Sequence, residues 1–159
     1  MLTLAASAHG RNRKIWVATW VVLVVISFFA YQRLVVAPAS PEDLRPLTVQ
    51  NTTFQLEVAN EALERQKGLS GREGLGEDAG LLFVFEETGQ HCIWMKDMRF
   101  SIDIVWLDAG KQVIKVADDI SPDTYPASFC PDTPAKYVIE LNAGRAREAG
   151  ITAGMSLTF

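Results

Sequence analysis

Apolar positions are distributed in two ways along this chain. From residue 15 to 31, IWVATWVVLVVISFFAY runs without a charge, a proline or a glycine. A helix of that sequence is apolar all the way round, which suits a lipid environment rather than one face of a soluble core. Its 17 residues rise roughly 25 Å, and extension to Ala37, with Arg33 snorkelling to the headgroups, spans a core of about 30 Å. Trp16, Trp20 and Tyr31 stand near the two ends, where amphipathic aromatics are favoured. Residues 15–37 are therefore expected to be an uncleaved signal anchor in the lipid bilayer, after a 14-residue cytoplasmic segment. The rival reading is a signal peptide cleaved near Ala39, where Ala37-Pro38-Ala39 supplies small residues.

Beyond this segment the pattern changes to short runs with period two. VAPASPEDLRP, with three prolines, reads as a stiff linker over 38–46. LTVQNTTFQLEV predicts a hairpin turning at Asn51 and Thr52, and Asn60 is placed to cap a short helix that Gly68 stops. Five glycines in GLSGREGLGEDAG predict a loop of tight turns, and LLFVF at 81–85 reads as a central strand. The densest stretch, HCIWMKDMRFSIDIVWLD at 91–108, reads as two strands of one sheet joined by a short charged connection. QVIKVADDI, YVIEL and the terminal MSLTF read as further strands, with a small helix capped by Asn142 between the last two. Many short strands and two small helices predict a mainly β, compact antiparallel sandwich or barrel-like domain over 47–159.

Charge sharpens the topology. Arg11, Arg13 and Lys14 precede the apolar run and only Arg33 follows it closely, so the positive-inside rule puts the N-terminus in the cytoplasm and the domain outside. All 19 acidic residues lie after residue 41, together with 11 of the 15 basic ones, a balance of −8 for that part. Such a surface repels nucleic acid. Cys92 and Cys130 are the only cysteines, and an even pair in an oxidising compartment is expected to form a disulfide. The alternative is two buried thiols acting as small hydrophobes.

Candidate chemistry is sparse. His9 and His91 are the only histidines, Cys-x-x-Cys is absent, and no nucleophile elbow or phosphate-binding glycine motif is present. No metal or cofactor is expected; calcium at Asp118, Asp119 and Asp123 is the weaker possibility, since acidic loops are usually just solvated. Lys96 and Asp103 are more informative, because both stand among Trp94, Met95, Ile102 and Ile104. A charge there must be paired or must reach solvent. Either the two brace the sheet edge, or they orient a ligand in a cleft walled by Trp94, with Arg65 and Arg72 from either side of the glycine loop's start. Trp106 reads as core.

Several blocks together resemble a known family. Arg65-Gln66-Lys67-Gly68-Leu69, Gly80 to Phe85, Ile93-Trp94-Met95-Lys96, Ile102-Asp103-Ile104, Tyr125-Pro126 and Pro134 to Glu140 occur in the order seen in the domain of unknown function 192. The resemblance covers about residues 48–159 and implies a compact β-rich fold with short helices, often secreted or membrane-tethered, and no established reaction. Asp97-Met98 stand where the family usually has Asn-Thr, Ser101 where proline is common, and Ser70-Gly71 where methionine and another residue are usual. The cysteines are an addition to the family pattern. The expected function is a membrane-anchored accessory module that binds an envelope glycan or similar component through Trp94, Lys96, Asp103 and Arg65. The alternatives are a hydrolase using Asp97 and Asp103 as a carboxylate pair, and a structural partner of another membrane protein.

Overall fold

In the computed structural model, the described residues are Trp16, 20–27 and 44–159. Residues 16 and 20–27 are helical, and among the described residues no helix is long and apolar enough to cross a membrane. The expected anchor and linker lie largely outside the described residues.

The domain is built on one open six-stranded sheet. Strand β1 (Leu44–Val49) turns at Gln50 into β2 (Thr52–Ala59), as the alternation predicted. It starts within the expected linker, and Pro46 is tolerated because β1 is an edge strand. Helix α1 (Ala62–Lys67) is capped one residue later than expected, by Glu61 instead of Asn60. There Glu61 and Glu64 form a capping box, satisfying backbone donors that the first turn leaves open. Gly68 closes the helix at positive φ, donating its N–H to the Glu64 carbonyl.

After the glycine loop come β3 (Ala79–Gly89), β4 (Ile93–Trp94), β5 (Ile102–Leu107), β6 (Val113–Ile120), a 3-10 turn at Pro122–Thr124, β7 (Ser128–Phe129), β8 (Ala135–Asn142) and α2 (Arg145–Glu148). The main sheet runs β1-β2-β3-β8-β5-β6, and β4 pairs with β7 in a separate two-stranded ribbon.

Four expectations change. The sheet is mixed rather than antiparallel, because the α1 crossover returns β3 parallel to β2. It is open rather than a sandwich or barrel, with apolar clusters on both faces covered by loops and α2. The 91–108 stretch supplies strands to two different sheets, so β4 and β5 do not pair. MSLTF forms only an isolated bridge, Gln112 with Ser156, and not a strand. These last residues instead contribute Leu157 to a cluster that also holds Leu47, Phe54, Val105 and Leu141.

Strand β5, interior to the sheet between β8 and β6, is buried at every position because both of its faces are covered. Ile102, Ile104 and Trp106 point to one cluster and Val105 and Leu107 to the other. This two-sided burial explains how one strand carries both a buried tryptophan and a buried aspartate without sharing an environment. Gly80 on β3 is a point of close approach: a Cβ there would lie 2.5 Å from Leu56 Cδ2 and 2.8 Å from Leu141 Cδ2.

The proline-rich connection is pinned as its cysteine suggested. Cys92 and Cys130 are disulfide-bonded across 38 residues of sequence, beside the β4–β7 ribbon.

A recess beneath Trp94

Side-chain parity in the sheet sets up the site. Glu57 on β2 is in register with Leu81 on β3, Leu81 with Glu140 on β8, and Glu140 with Ile104 on β5. The four side chains therefore lie in one row on one face, with the two carboxyls flanking a leucine. Above this row the glycine loop is tied down by the segment after β4. The Gly71 N–H donates to the Asp97 carbonyl at 2.8 Å, and the Ser70 hydroxyl donates to the Lys96 carbonyl at 2.8 Å. Asp97 accepts that bond with a positive φ of 57°, which the short polar side chain tolerates.

Between loop and sheet is a recess of about 80 Å³, lined by the end of α1 and the turn after it (Arg65–Ser70) and by Phe83, Cys92, Ile93, Trp94, Met98 and Glu140. Polar and apolar groups contribute comparably to its walls. Trp94 is 51% exposed and lies 6.0 Å, centroid to centroid, from Tyr125, itself 46% exposed. The wall of the recess carries Glu140, only 4% exposed, whose Oε2 has no hydrogen-bond partner.

The electrostatics follow from this placement. Arg72 descends from the glycine loop and donates from two nitrogens to the Glu57 carboxylate, both at 2.7 Å. This fork holds Glu57 below the usual carboxylate range, against the opposing effect of burial, and raises Arg72. Glu140 has no such partner. Burial pushes its carboxyl up to about 8, and the more distant Arg72 charge offsets that only in part. Two carboxyls in one row thus differ in protonation at neutral pH: Glu57 is ionised and Glu140 carries a proton.

The structure separates the residues that sequence grouped. Trp94 and Arg65 line the recess. The Arg65 guanidinium donates to the carbonyls of Asn60 and Val84 and lies 5.5 Å from the Phe85 ring centroid, so it braces α1 against β3. Lys96 is exposed, with its ammonium 5.6 Å from the Trp94 ring centroid. Asp103 is elsewhere. It belongs to the opposite face, fully buried, and accepts from the backbone N–H groups of Asp119 (2.8 Å), Gly144 (2.9 Å) and Ala146 (2.8 Å). Its carboxylate fixes a register irregularity between β5 and β6 and anchors the start of α2.

Asp97 is exposed, so it and Asp103 do not form an acid–base pair. Trp106 is core, its indole N–H donating to the His91 carbonyl at 2.8 Å. Glu140 and the Glu57–Arg72 fork were not singled out from sequence. The available signal was a lone glutamate inside YVIEL, an apolar strand with no cation at a neighbouring position on the same face.

On the other side of the sheet a more open depression of about 300 Å³ is lined by Val116, Asp118, Arg147, Ile151, Thr152 and Ala153. It is larger but holds no buried group without a partner. Among the described residues no cluster of three or more histidine, cysteine or carboxylate side chains is arranged to hold a metal ion.

Fold and recess together define a small, open-sheet β domain with a buried, unpartnered carboxyl in a recess that Trp94 lines. A family model, described as an uncharacterised group and designated domain of unknown function 192, matches residues 45–159. The chain belongs to this family. Comparison with curated proteins found no match. Among solved structures, the chain is similar to a protein of unknown function from Novosphingobium aromaticivorans, with 26% identity and a TM-score of 0.69 over 77% of this chain and 94% of that one. It is also similar to a "putative transcription regulator" from Sinorhizobium meliloti, with 27% identity and a TM-score of 0.65 over 71% and 89%.

Proposed function

We propose that this protein is a ligand-binding module of the cell envelope, held to the membrane by residues 15–37 with its domain outside the cytoplasm. The observation that carries the binding reading is the recess that Glu140, buried and with an unpartnered oxygen, shares with Phe83, Ile93 and exposed Trp94. Buried polar groups are normally hydrogen-bonded, and an exception inside a concave site is a position for a ligand's polar atom. The exposed Trp94 indole offers flat apolar area of the kind a sugar ring covers, with Tyr125 tilted 60° beside it.

Support for the placement comes from the uncharged run, the cationic residues before it and the Cys92–Cys130 disulfide, which suits an oxidising compartment. The transcription-regulator description belongs to the Sinorhizobium protein. The −8 balance after residue 41 favours partners other than nucleic acid for this chain.

Calorimetric titration of the full-length protein with a panel of envelope saccharides tests the reading. Binding by at least one of them, abolished by Trp94→Ala with the melting temperature unchanged, is the expected result. Silence across the panel, or equal binding by Trp94→Ala, removes the recess as the site.

A further inference from the structure

The ligand class can be narrowed from the charges around the recess, a step that rests on the saccharide reading. The portion after residue 41 is acidic overall, yet the recess is bordered by cations. Arg65 and Lys67 line it, and Lys96 stands beside Trp94. Arg65 is held by backbone carbonyls, which leave its charge unneutralised, and among the described residues neither Lys67 nor Lys96 has a carboxylate within ion-pair distance. Arg72, the fourth cation, is already bonded to Glu57.

The nearby acids offset these charges only in part, Glu57 interacting with Lys67 beyond ion-pair distance. Glu64 turns its carboxylate to the N–H groups of Asn60 and Glu61, Glu57 is taken by Arg72, and Asp97 is exposed beside Lys96. Three cations without a carboxylate partner therefore surround an opening whose wall holds a carboxyl with no partner of its own. A positively charged ligand would meet repulsion at the rim, and a neutral one would leave the rim charges unused.

We infer that the mouth of the recess takes an acidic saccharide, its ring outside against Trp94, its carboxylate or other oxyanion among Arg65, Lys67 and Lys96, and one neutral oxygen reaching in to the Glu140 carboxyl. Trp94 selects for a ring, the rim selects for negative charge, and Glu140 selects for an acceptor oxygen. Lys96 contributes by leaving the tryptophan for the ligand's anion.

Full-length protein titrated with N-acetylmuramic acid and N-acetylglucosamine tests this, since the two differ by the lactyl ether that carries the carboxylate. The acidic sugar is expected to bind about ten-fold more tightly, a preference equal to about 1.4 kcal/mol, and to lose that advantage as salt is raised. Lys67→Gln combined with Lys96→Gln should erase the preference while leaving the melting temperature unchanged. Glu140→Gln, whose amide can also donate, should keep it, whereas Glu140→Leu should weaken both sugars. Equal binding of the two sugars overturns the acidic class and leaves the saccharide reading standing. Binding of neither overturns both.

Discussion

Replacing Glu140 by glutamine should leave the domain about as stable as the parent at pH 5 and distinctly more stable at pH 9. The folded carboxyl titrates near 8, and its ordinary value is 4.5. Below 4.5 the group is protonated in both states and the native fold accepts it without a buried charge. As pH rises, the unfolded chain releases its proton first while the folded chain retains one. Stability therefore falls between about 4.5 and 8 and is flat above that interval. At about 1.4 kcal/mol for each pH unit the midpoint moves, the loss is roughly 4–5 kcal/mol.

Glutamine has nearly the shape of the protonated acid and no charge to bury, so the variant escapes this loss. Glu57, held low by Arg72, works in the opposite sense: its contribution is present above its unfolded value and fades in acid. It is common to both proteins and cancels in their difference. Urea unfolding of parent and variant at half-unit pH steps from 5 to 9 measures that difference directly. For a domain of this size the corresponding shift in melting temperature at pH 9 is roughly 10–20 °C. A difference that stays constant across the range would show that Glu140 does not titrate there, and the account of the recess would fall with it.

Other perturbations separate bracing from binding. Asp103→Ala leaves three backbone N–H groups without their acceptor, and should cost on the order of 3–5 kcal/mol in urea unfolding; a cost under about 1 kcal/mol contradicts its role as an anchor for α2. Gly80→Ala forces a methyl into Leu56 and Leu141 and should destabilise by about 1–3 kcal/mol; an unchanged urea midpoint would mean that the sheet gives way there. Cys92→Ser with Cys130→Ser opens a 38-residue separation and should cost about 3–4 kcal/mol on the chain-entropy account, with proteolysis expected to appear first between residues 120 and 131. Cleavage elsewhere first would show that the disulfide does not hold that connection.

Much of the fold was legible because the strands are amphipathic or wholly apolar. The β1–β2 hairpin, β3, β6 and β8 follow directly from alternation or from short apolar runs. What alternation could not convey was partner choice. Nothing local in LLFVF says that it runs parallel to FQLEV; that is decided by the α1 crossover between them. Nor does Trp94 reveal that its strand leaves the main sheet, because two residues are too few to carry a period. MSLTF has the composition of a strand, but it makes a single bridge at Ser156, flanked by the Leu157 N–H donating to the Lys111 carbonyl and the Val113 N–H donating to the Met155 carbonyl.

The site was half legible for a similar reason. Trp94 and Arg65 both line one recess, whereas Lys96 and Asp103, close in sequence, stand apart in the fold. Asp103 faces the other side of β5, whose two faces are both buried, so the usual inference that a charge in a strand reaches solvent fails there. Glu140 passed unnoticed because its significance is relational. Only the register of three strands places it in a row with Glu57, and only the fold of the glycine loop gives Arg72 to Glu57 instead of to it.

The most direct test of the central claim, that a ligand enters beneath Trp94, is to follow the tryptophan indole N–H signals of the full-length protein during titration with N-acetylmuramic acid. Trp106 provides an internal control, since its indole is bonded to the His91 carbonyl within the core. The account predicts saturable movement of the Trp94 signal with the Trp106 signal unmoved, and loss of the response in Glu140→Leu. A Trp94 signal that stays in place while others shift, or no shift at all, would contradict it.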